Sequence, residues 1–437
     1  MKERENFSGK LGFILSCIGS AVGLGNIWMF SWRLGQYGGA AFLIPYCLFV
    51  LILGTTGLMG EFALGRSRKK GSFGGIKEIF EEKKLPFGSL FASIPTIGLA
   101  GIFVFYTIVV GWILRYFLAI IGGTFNKVDI PAYFTSFAGT STSIGWHALA
   151  VIITASIVIG GVSKGIEKIN KIIMPALFII FVALMVKSLT LPGAAEGIKY
   201  LLIPKWSYLQ KPITWVMALG QAFFTVSLTG SALVVYGSYL NDEIDIPNSA
   251  INTVIFDTMS ALLAAFIIIP AAFSFGLDPT AGPALLFITV PSIFKMMPGG
   301  QVFGALFFLS IIFAAISSAI NMLEAPVEAV MYRLKWTRSK SVLIISILAF
   351  ILGIPLDLSL EKFGAFSDFI TIYLSPLGAI LAAVAFFWIF GIGKAREEIN
   401  KGAVKPLGKW FEPVAKYVFT IVAIVVLILG AVYGGIG

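Results

Sequence analysis

The stretch IGSAVGLGNIWMF, residues 18–30, places three glycines, a serine and an asparagine inside an apolar segment that begins near the N-terminus. A membrane-spanning helix needs about 20 apolar residues, and this segment is long enough. In hydrocarbon every backbone amide and carbonyl needs a hydrogen-bond partner, so a broken helix is tolerated only where it is buried in protein or lines a cavity. The stretch therefore predicts an interrupted membrane helix beside a cavity.

The composition is that of an integral membrane protein. Of the 437 residues 58% are hydrophobic and 12% are charged, and the mean hydropathy is +0.93. A soluble domain does not have such a composition. The net charge of +10 does not indicate a nucleic-acid partner, because the basic residues cluster in short loops. These loops, at 66–84, 161–171, 333–340 and 394–409, mark the cytoplasmic side by the positive-inside rule.

Hydropathy predicts about eleven membrane helices in a single membrane domain, 1–437. The predicted spans are 11–34, 40–65, 88–121, 145–161, 169–190, 213–240, 248–276, 300–332, 341–356, 363–391 and 411–434. Two Pro- and Gly-containing apolar stretches, 194–203 and 281–294, are expected as helices on the extracellular side. The odd number of spans places the N-terminus in the cytoplasm and the C-terminus outside, in a multi-pass protein of the inner (plasma) membrane.

A second interruption occurs in the sixth span, at FFTVSLTGSA, residues 223–232. Matching interruptions in two halves indicate a secondary transporter built from inverted repeats. The repeats are expected at about 11–190 and 213–391, with an extra helix at about 411–434. Broken helices aim their N-terminal dipoles at an anion and offer free carbonyls to a small cation. Close packing between neighbouring helices would also account for such small residues.

Other classes of site find little support in the sequence. Cys17 and Cys47 lie in apolar segments and are expected to pack as small residues. His147 is the single histidine, so no Cys/His metal cluster is expected. The spans contain no catalytic carboxylate pair or nucleophile–base set, which argues against an enzyme, and no organic cofactor is expected.

Several motifs resemble those of the neurotransmitter:sodium symporter family, and in particular its bacterial eleven-helix amino-acid transporters. In chain order they are GSAVGLGNIW, GGAAFLIPY, GEFALGR, FYTIVVGW, GQAFFTVSLTGSALVVYGSYL, FDTMSALLAAF, FAAISSAINMLEAP and PLGAI. They cover nearly the whole chain in the family's order. The resemblance implies an all-α membrane fold of two inverted five-helix repeats, with discontinuous first and sixth helices. It also implies that sodium drives substrate inward by alternating access.

The resemblance implies two sodium ions. The first ion would be held by the Ala21 carbonyl, Asn26, Thr225 and Asp257. The second would be held by the carbonyls of Gly19, Val22 and Ala314 and the hydroxyls of Ser317 and Ser318. Oxygen ligands suit a hard cation. Purely structural roles stay open as well: Asp257 could cap its helix, and the paired serines could bond to the preceding turn.

The resemblance also bears on chloride. Asp257 stands where many relatives have asparagine, and Ala261 stands where chloride-dependent relatives have serine. We therefore expect transport without chloride, with Asp257 supplying the negative charge.

The resemblance implies an amino-acid site next to the first sodium ion. Its expected residues are Ala21, Leu24, Gly25, Ile102, Tyr106, Phe224, Thr225, Ser227, Gly230, Ser231, Ser318 and Met322. Gly230 replaces a phenylalanine of the leucine-selective relative, which predicts a wider pocket and bulky hydrophobic or aromatic L-amino acids. Tyr106 and Phe224 would form the lid, with plain core packing as the alternative. Glu61 would hold the two broken helices.

The gates depart from the family pattern. Met29 and Ser31 replace the arginine and proline of an Arg-Phe-Pro motif, so Arg33 is expected to pair with Asp368 at the outer gate. At the inner gate Arg4 and Phe7 replace an arginine–tryptophan pair, and the acid that receives the arginine is Tyr332 here.

Two functions fit the sequence. One is a sodium-coupled symporter that imports bulky hydrophobic or aromatic L-amino acids, in which a monomer in the lipid bilayer suffices. The other is a sodium-dependent amino-acid sensor that binds the same ligand without efficient transport.

Overall fold

The computed structural model describes residues 5–278, 282 and 285–435, and within these ranges it contains helices and no strand. In chain order the helices are α1 (Lys10–Ala21), α2 (Gly25–Gln36), α3 (Ala40–Arg68), α4 (Ser72–Glu82), α5 (Gly88–Ile121), α6 (Ile130–Thr135), α7 (Ser141–Ile159), α8 (Val162–Leu189), α9 (Ala194–Leu202), α10 (Pro212–Thr225), α11 (Ala232–Gly237), α12 (Ile246–Ser274), α13 (Leu285–Met296), α14 (Gly300–Leu334), α15 (Arg338–Asp357), α16 (Leu360–Asn400) and α17 (Phe411–Tyr433). Short 3₁₀ turns occupy Thr124–Asn126 and Trp206–Gln210.

The membrane helices match the predicted spans. Of the described helices, nine are individually long and apolar enough to cross a bilayer. The pair α1 and α2 passes the same test as one span bent by 55°. The sixth predicted span is split into α10 and α11, which are separated by the non-helical residues 226–231. An all-α membrane fold with discontinuous first and sixth helices is therefore confirmed.

Hydropathy predicted two short helices, α9 and α13, and missed a third, α4. The apolar stretches at 194–203 and 281–294 contain the helices α9 and α13; residues 279–281, 283 and 284 lie outside the described ranges. The basic loop at 66–84 contains a helix that was not expected from the sequence, α4. This helix buries Phe73, Ile76, Ile79 and Phe80 on one face. Such an amphipathic stripe forms a helix although the segment is too charged to cross a membrane.

Two long helices, α5 and α14, pack along each other and form the centre of the bundle. The first half-helix, α1, packs against α8, α12 and α14. The second interrupted pair, α10 and α11, packs against the two halves of α3. Both breaks therefore lie inside the protein, where their free backbone groups can be satisfied without water.

Buried polar pairs hold the helices around this centre. Arg66 of α3 donates to the Glu398 side chain at 2.9 Å and to the Ile244 carbonyl at 2.7 Å. His147 of α7 meets the Asp357 carboxylate at 2.7 Å, and its other ring nitrogen lies 3.1 Å from the Thr107 hydroxyl. Both members of this His–Asp pair are fully buried. The lone histidine thus joins three helices, α5, α7 and α15.

Candidate functional site

The two breaks meet at a cavity of about 940 Å³, a volume that includes its opening. The cavity walls come from both breaks and from α5, α14, α16 and α17. The lining residues that matter below are Ala21, Leu24, Gly25, Asn26, Ile102, Phe105, Tyr106, Phe224, Thr225, Ser227, Thr229, Ser318, Asn321, Met322 and Ile372.

The first break follows directly from the local sequence. Helix α1 ends at Ala21 because Val22 adopts an extended conformation, with φ −70° and ψ 103°. The next helical residue is Leu24, directly before α2, so only residues 22 and 23 continue neither helix. The N-terminus of α2 therefore points into the protein interior, where its dipole favours an anionic group.

The second break depends on left-handed backbone positions. Ser227 has φ +57° and Gly230 has φ +70°. At Gly230 a side chain would overlap the Gly378 carbonyl of α16, so both the conformation and the close approach require glycine there. The Glu61 carboxylate accepts hydrogen bonds from the backbone N–H groups of Gly230, at 2.8 Å, and Leu233, at 3.3 Å. An acid from α3 thus satisfies amide groups at the start of α11.

Asn26, Thr225 and Asp257 form one buried cluster. The Asn26 amide donates to the Asp257 carboxylate at 2.7 Å and to the Thr225 hydroxyl at 3.0 Å. The Thr225 hydroxyl lies 3.1 Å from the other carboxylate oxygen. The cluster joins the first break, the second break and α12. Among the described residues no Lys, Arg or His forms an ion pair with Asp257.

This cluster suits a small hard cation. A buried carboxylate without a charged partner costs free energy, and a bound cation would offset that cost. The available donors are carboxylate, hydroxyl and carbonyl oxygens, which hard cations prefer. Three of the residues expected at the first sodium site therefore lie within hydrogen-bond distance of one another, and Ala21 lines the adjacent cavity.

The residues expected at the second sodium site also converge. The Ser318 hydroxyl lies 3.3 Å from the Gly19 carbonyl, 3.4 Å from the Ser20 carbonyl and 3.2 Å from the Val22 carbonyl. The neighbouring Ser317 hydroxyl donates to the Ala314 carbonyl at 2.9 Å. One hydroxyl carries one proton and can satisfy only one of the three carbonyls. The Ser20 carbonyl also accepts from Ser227, so the Gly19 and Val22 carbonyls are left with at most this one proton, and the pocket between them is electronegative, as a cation requires.

Most residues expected at the amino-acid site line the cavity. These are Ala21, Leu24, Gly25, Ile102, Tyr106, Phe224, Thr225, Ser227, Ser318 and Met322. The Leu24 N–H points at the Tyr106 hydroxyl across 3.4 Å, and the Ser227 hydroxyl donates to the Ser20 carbonyl at 3.0 Å. The side chains expected to form a lid, Tyr106 and Phe224, both face the cavity.

Two expected residues do not line the cavity. Gly230 faces Gly378, and the Ser231 hydroxyl bonds to the Ser72 hydroxyl at 2.8 Å. Thr229 is the lining residue at this point of the break. A pocket widened by the missing ring at position 230 is therefore not what the structure contains, because the left-handed turn directs this residue towards α16. The space in the cavity is bounded instead by residues of the two breaks and of α5, α14, α16 and α17.

The lining residues that were not expected from the sequence include Phe105, Thr229, Asn321 and Ile372. A signal for Asn321 was available, because it is a polar residue one helical turn after Ser318 in an otherwise apolar helix.

The outer gate differs from the expected pair. Arg33 is buried and donates to the Gln221 side chain at 3.3 Å. Gln221 in turn donates to the Gly25 carbonyl at 3.3 Å. Asp368 is exposed on α16, and within the described ranges it forms no ion pair with Arg33. The expected Arg33–Asp368 pair is therefore wrong, because α2 directs Arg33 towards α10.

At the inner gate Phe7 is buried against three aromatic rings. Its ring lies 5.4 Å from that of Phe13, 5.6 Å from Tyr236 and 6.3 Å from Tyr239, each at a steep angle. Arg4 lies outside the described residues. At the position where the family has an acid, the Tyr332 ring makes cation–π contacts with the ammonium groups of Lys70 and Lys335.

Glu324 is a buried acid of the inner region. Its carboxylate pairs with Arg338 at 2.7 Å and accepts the Tyr239 hydroxyl proton at 2.6 Å. Arg338 also pairs with Glu5 at 3.3 Å, which fastens the N-terminal segment to α15.

Comparison with known proteins agrees with this geometry. The sequence model of a family described as "Sodium:neurotransmitter symporter family" matches residues 4–127 and 136–434. An uncharacterized sodium-dependent transporter of Bacillus subtilis is 37% identical over 83% of this chain and 80% of its own length. Another, from Methanocaldococcus jannaschii, is 32% identical over 98% of this chain and 91% of its own length.

A solved structure extends the comparison to the fold. The crystal structure of MhsT in complex with L-phenylalanine aligns with a TM-score of 0.87 and 34% identity. The alignment covers 98% of this chain and 100% of the MhsT chain. The chain therefore belongs to the sodium:neurotransmitter symporter family, whose members are sodium-dependent secondary transporters and not enzymes.

Proposed function

We propose that this protein is a sodium-coupled symporter that imports bulky hydrophobic or aromatic L-amino acids by alternating access and does not require chloride. The observation that carries the proposal is the buried Asn26–Thr225–Asp257 cluster at the edge of the cavity. A carboxylate in this position needs a cation, and the cavity beside it offers room for a zwitterion.

The zwitterion would be recognised at both of its charged ends. Its carboxylate would meet the backbone amides of Leu24 and Gly25 at the N-terminus of α2, the first sodium ion and the Tyr106 hydroxyl. Its ammonium would meet the carbonyls of Ala21, Phe224 and Thr225, with the Ser227 hydroxyl nearby. The 3.4 Å approach of the Leu24 N–H to Tyr106 supports a shared carboxylate position.

Two sodium ions would be transported with the substrate. The first would bind at Ala21, Asn26, Thr225 and Asp257, and the second at Gly19, Val22, Ala314, Ser317 and Ser318. The first ion and the substrate would share Ala21 and Thr225, so each would raise the affinity of the protein for the other. This linkage allows a sodium gradient to drive accumulation of the amino acid.

The preference for large apolar side chains rests on the cavity walls. Five apolar side chains line the cavity: Ile102, Phe105, Phe224, Met322 and Ile372. Burying an apolar side chain against such walls favours binding in proportion to the area removed from water. The similar MhsT structure holds L-phenylalanine, which supports the same substrate class here.

Independence from chloride rests on the charge of Asp257. When ionised, its carboxylate would place a negative charge next to the first sodium position, and Ala261 has no hydroxyl to hold an anion. A chloride ion in the same low-dielectric region would be repelled by this carboxylate.

The proposal includes an orientation and an organisation in the membrane. The N-terminus would lie in the cytoplasm and the C-terminus outside, in the plasma membrane, with repeats at about 11–190 and 213–391 and a monomer sufficient for transport. Tyr106 and Phe224 would close over the substrate. Glu324, Arg338 and Glu5 would stabilise the closed inner side, together with the docked Phe7 ring.

The deciding experiment compares sodium with potassium buffer. Purified protein is tested for binding with a panel of amino acids and then reconstituted in liposomes for uptake. We expect sodium-dependent accumulation of L-phenylalanine, L-tryptophan, L-tyrosine or L-leucine against a gradient. A sensor would bind these compounds without accumulating them. Stronger competition by glycine or alanine would contradict the proposed substrate class.

A further inference from the structure

We propose that Asn170 of α8 contributes an additional oxygen to the second sodium site and sets the affinity of that site for the ion. The ligands expected there come only from α1 and α14. This inference rests on the proposed function, because it assumes that sodium binds between those two helices.

The first argument is the burial and hydrogen bonding of the Asn170 side chain. It is fully buried, and its amide nitrogen donates to the Ile166 carbonyl one turn earlier at 2.9 Å. That bond fixes the rotation of the side chain. Its oxygen, Oδ1, has no hydrogen-bond partner among the described residues. A buried carbonyl oxygen without a partner is costly, and native structures rarely leave one without a reason.

The second argument is where this oxygen points. A methyl group added to Gly19 would overlap Asn170 Oδ1 and would come within 3.0 Å of the Ser317 β-carbon. The oxygen therefore lies against Gly19, at the point where Ser317 also approaches it, and both residues belong to the proposed second sodium site. The Gly19 carbonyl is itself one of the three that converge on the Ser318 hydroxyl, at 3.3 Å.

A neighbouring residue on α8 shows that contact with α1 does not by itself leave an oxygen free. Glu167 lies against Gly12 of α1, as Asn170 lies against Gly19. Its carboxylate is satisfied by Ser8, whose backbone N–H donates at 2.8 Å, and by Lys171 at 2.6 Å. The unused oxygen is thus particular to Asn170, the residue of this pair beside the sodium site.

The chemistry of a carboxamide fits this role. Its oxygen is a neutral hard donor of the same kind as the backbone carbonyls already there, and it adds no charge. Asn170 would contact the ion directly or hold one of its water molecules. In either case it would complete the oxygen shell on the α8 side, where α1 and α14 provide no expected ligand.

The test uses the purified full-length protein and sodium alone as the probe. Thermal unfolding is followed as sodium chloride replaces potassium chloride at constant ionic strength. Three variants are compared: Asn170→Leu removes the oxygen, Asn170→Asp makes it anionic, and Asn170→Ser shortens the side chain. Ser188→Ala is the control, since Ser188 is buried on the same helix and donates to the Ile267 carbonyl at 2.8 Å, away from the site.

We expect Asn170→Leu to raise the half-saturating sodium concentration about tenfold, the lower end of the effect of supporting residues at metal sites. Asn170→Asp should lower it, because the added charge attracts the cation. The control should keep the wild-type value, and binding of L-phenylalanine at saturating sodium should change less than twofold in Asn170→Leu.

The outcomes separate this inference from the proposed function. Wild-type sodium dependence in Asn170→Leu and Asn170→Asp would overturn the role of Asn170 and leave the proposed function standing. Absence of any sodium effect on the wild-type protein would overturn both. If Asn170→Leu does not fold, the other two variants decide. A lower half-saturating sodium concentration in Asn170→Asp and a higher one in Asn170→Ser would support the role of Asn170. Equal half-saturating concentrations in the two variants would reject it.

Discussion

The Asn26 amide donates a hydrogen bond of 2.7 Å to the Asp257 carboxylate, although the two residues are 231 positions apart in the chain. The bond connects the broken first span to α12, and the Thr225 hydroxyl connects the broken sixth span to the same carboxylate. One buried acid thus touches both interruptions. A change in the charge of this acid should therefore alter the affinity for the ion and the affinity for the substrate together.

The first prediction concerns Asp257. Asp257→Asn removes the negative charge next to the proposed first ion while keeping the shape of the side chain. We expect the half-saturating sodium concentration for L-phenylalanine uptake to rise about tenfold or more, since a charge-assisted contact contributes roughly 1.5–3 kcal/mol. Asn252→Ala, a partly exposed position on the same helix, should have no effect. Unchanged sodium-driven uptake in Asp257→Asn would remove this residue from the site.

The second prediction concerns chloride. Replacing chloride by gluconate should leave wild-type uptake unchanged, because Asp257 already supplies a negative charge near the sodium ion. The double variant Asp257→Asn, Ala261→Ser should transport better with chloride than with gluconate, since an anion could then occupy the vacated charge position. Uptake is measured in liposomes with matched sodium concentrations. A wild-type requirement for chloride would refute this account of Asp257.

The third prediction concerns the second break. Gly230→Ala should lower the thermal stability of the protein, because the new methyl group would overlap the Gly378 carbonyl and because φ +70° is strained for alanine. The preference for L-phenylalanine over L-alanine should stay the same in the fraction that folds. Thr229→Phe should instead weaken binding of aromatic substrates, because Thr229 lines the cavity. Altered selectivity in Gly230→Ala without lost stability would show that position 230 faces the substrate.

The fourth prediction concerns the buried His147–Asp357 pair. Asp357→Asn should destabilise the protein by about 3–5 kcal/mol, the usual cost of breaking a buried pair. The double variant His147→Leu, Asp357→Leu should recover part of the loss, because neither the ring nor the carboxylate is then buried without the other, although Ser143 loses its bond to Asp357. Unfolding temperatures in detergent provide the measurement, with the partly exposed Ser93→Ala as the control. Equal losses in the single and double variants would argue against coupling between the two side chains.

Much of the fold could be predicted because each membrane segment must by itself be apolar and must satisfy its own backbone hydrogen bonds. The span predicted at 88–121 is the helix Gly88–Ile121, and the break at residues 22 and 23 lies within the stretch whose glycines and asparagine indicated it. Helix α4 was missed because its apolar stripe is hidden among charges. The Arg33–Asp368 pair failed because Arg33 lies one helical turn after Met29, the position of the family's arginine, and there it faces Gln221 of α10.

The sequence by itself determined which segments cross the membrane, where two of them are interrupted and which oxygen-bearing residues lie near the breaks. Hydrocarbon enforces these features residue by residue, since each exposed peptide group must find a partner. Only the tertiary structure decided that Gly230 faces Gly378, that Thr229 lines the cavity and that the Asn170 oxygen points at Gly19. Those directions depend on the backbone angles of the non-helical turn and on packing between helices distant in sequence, and neither is encoded in local hydropathy.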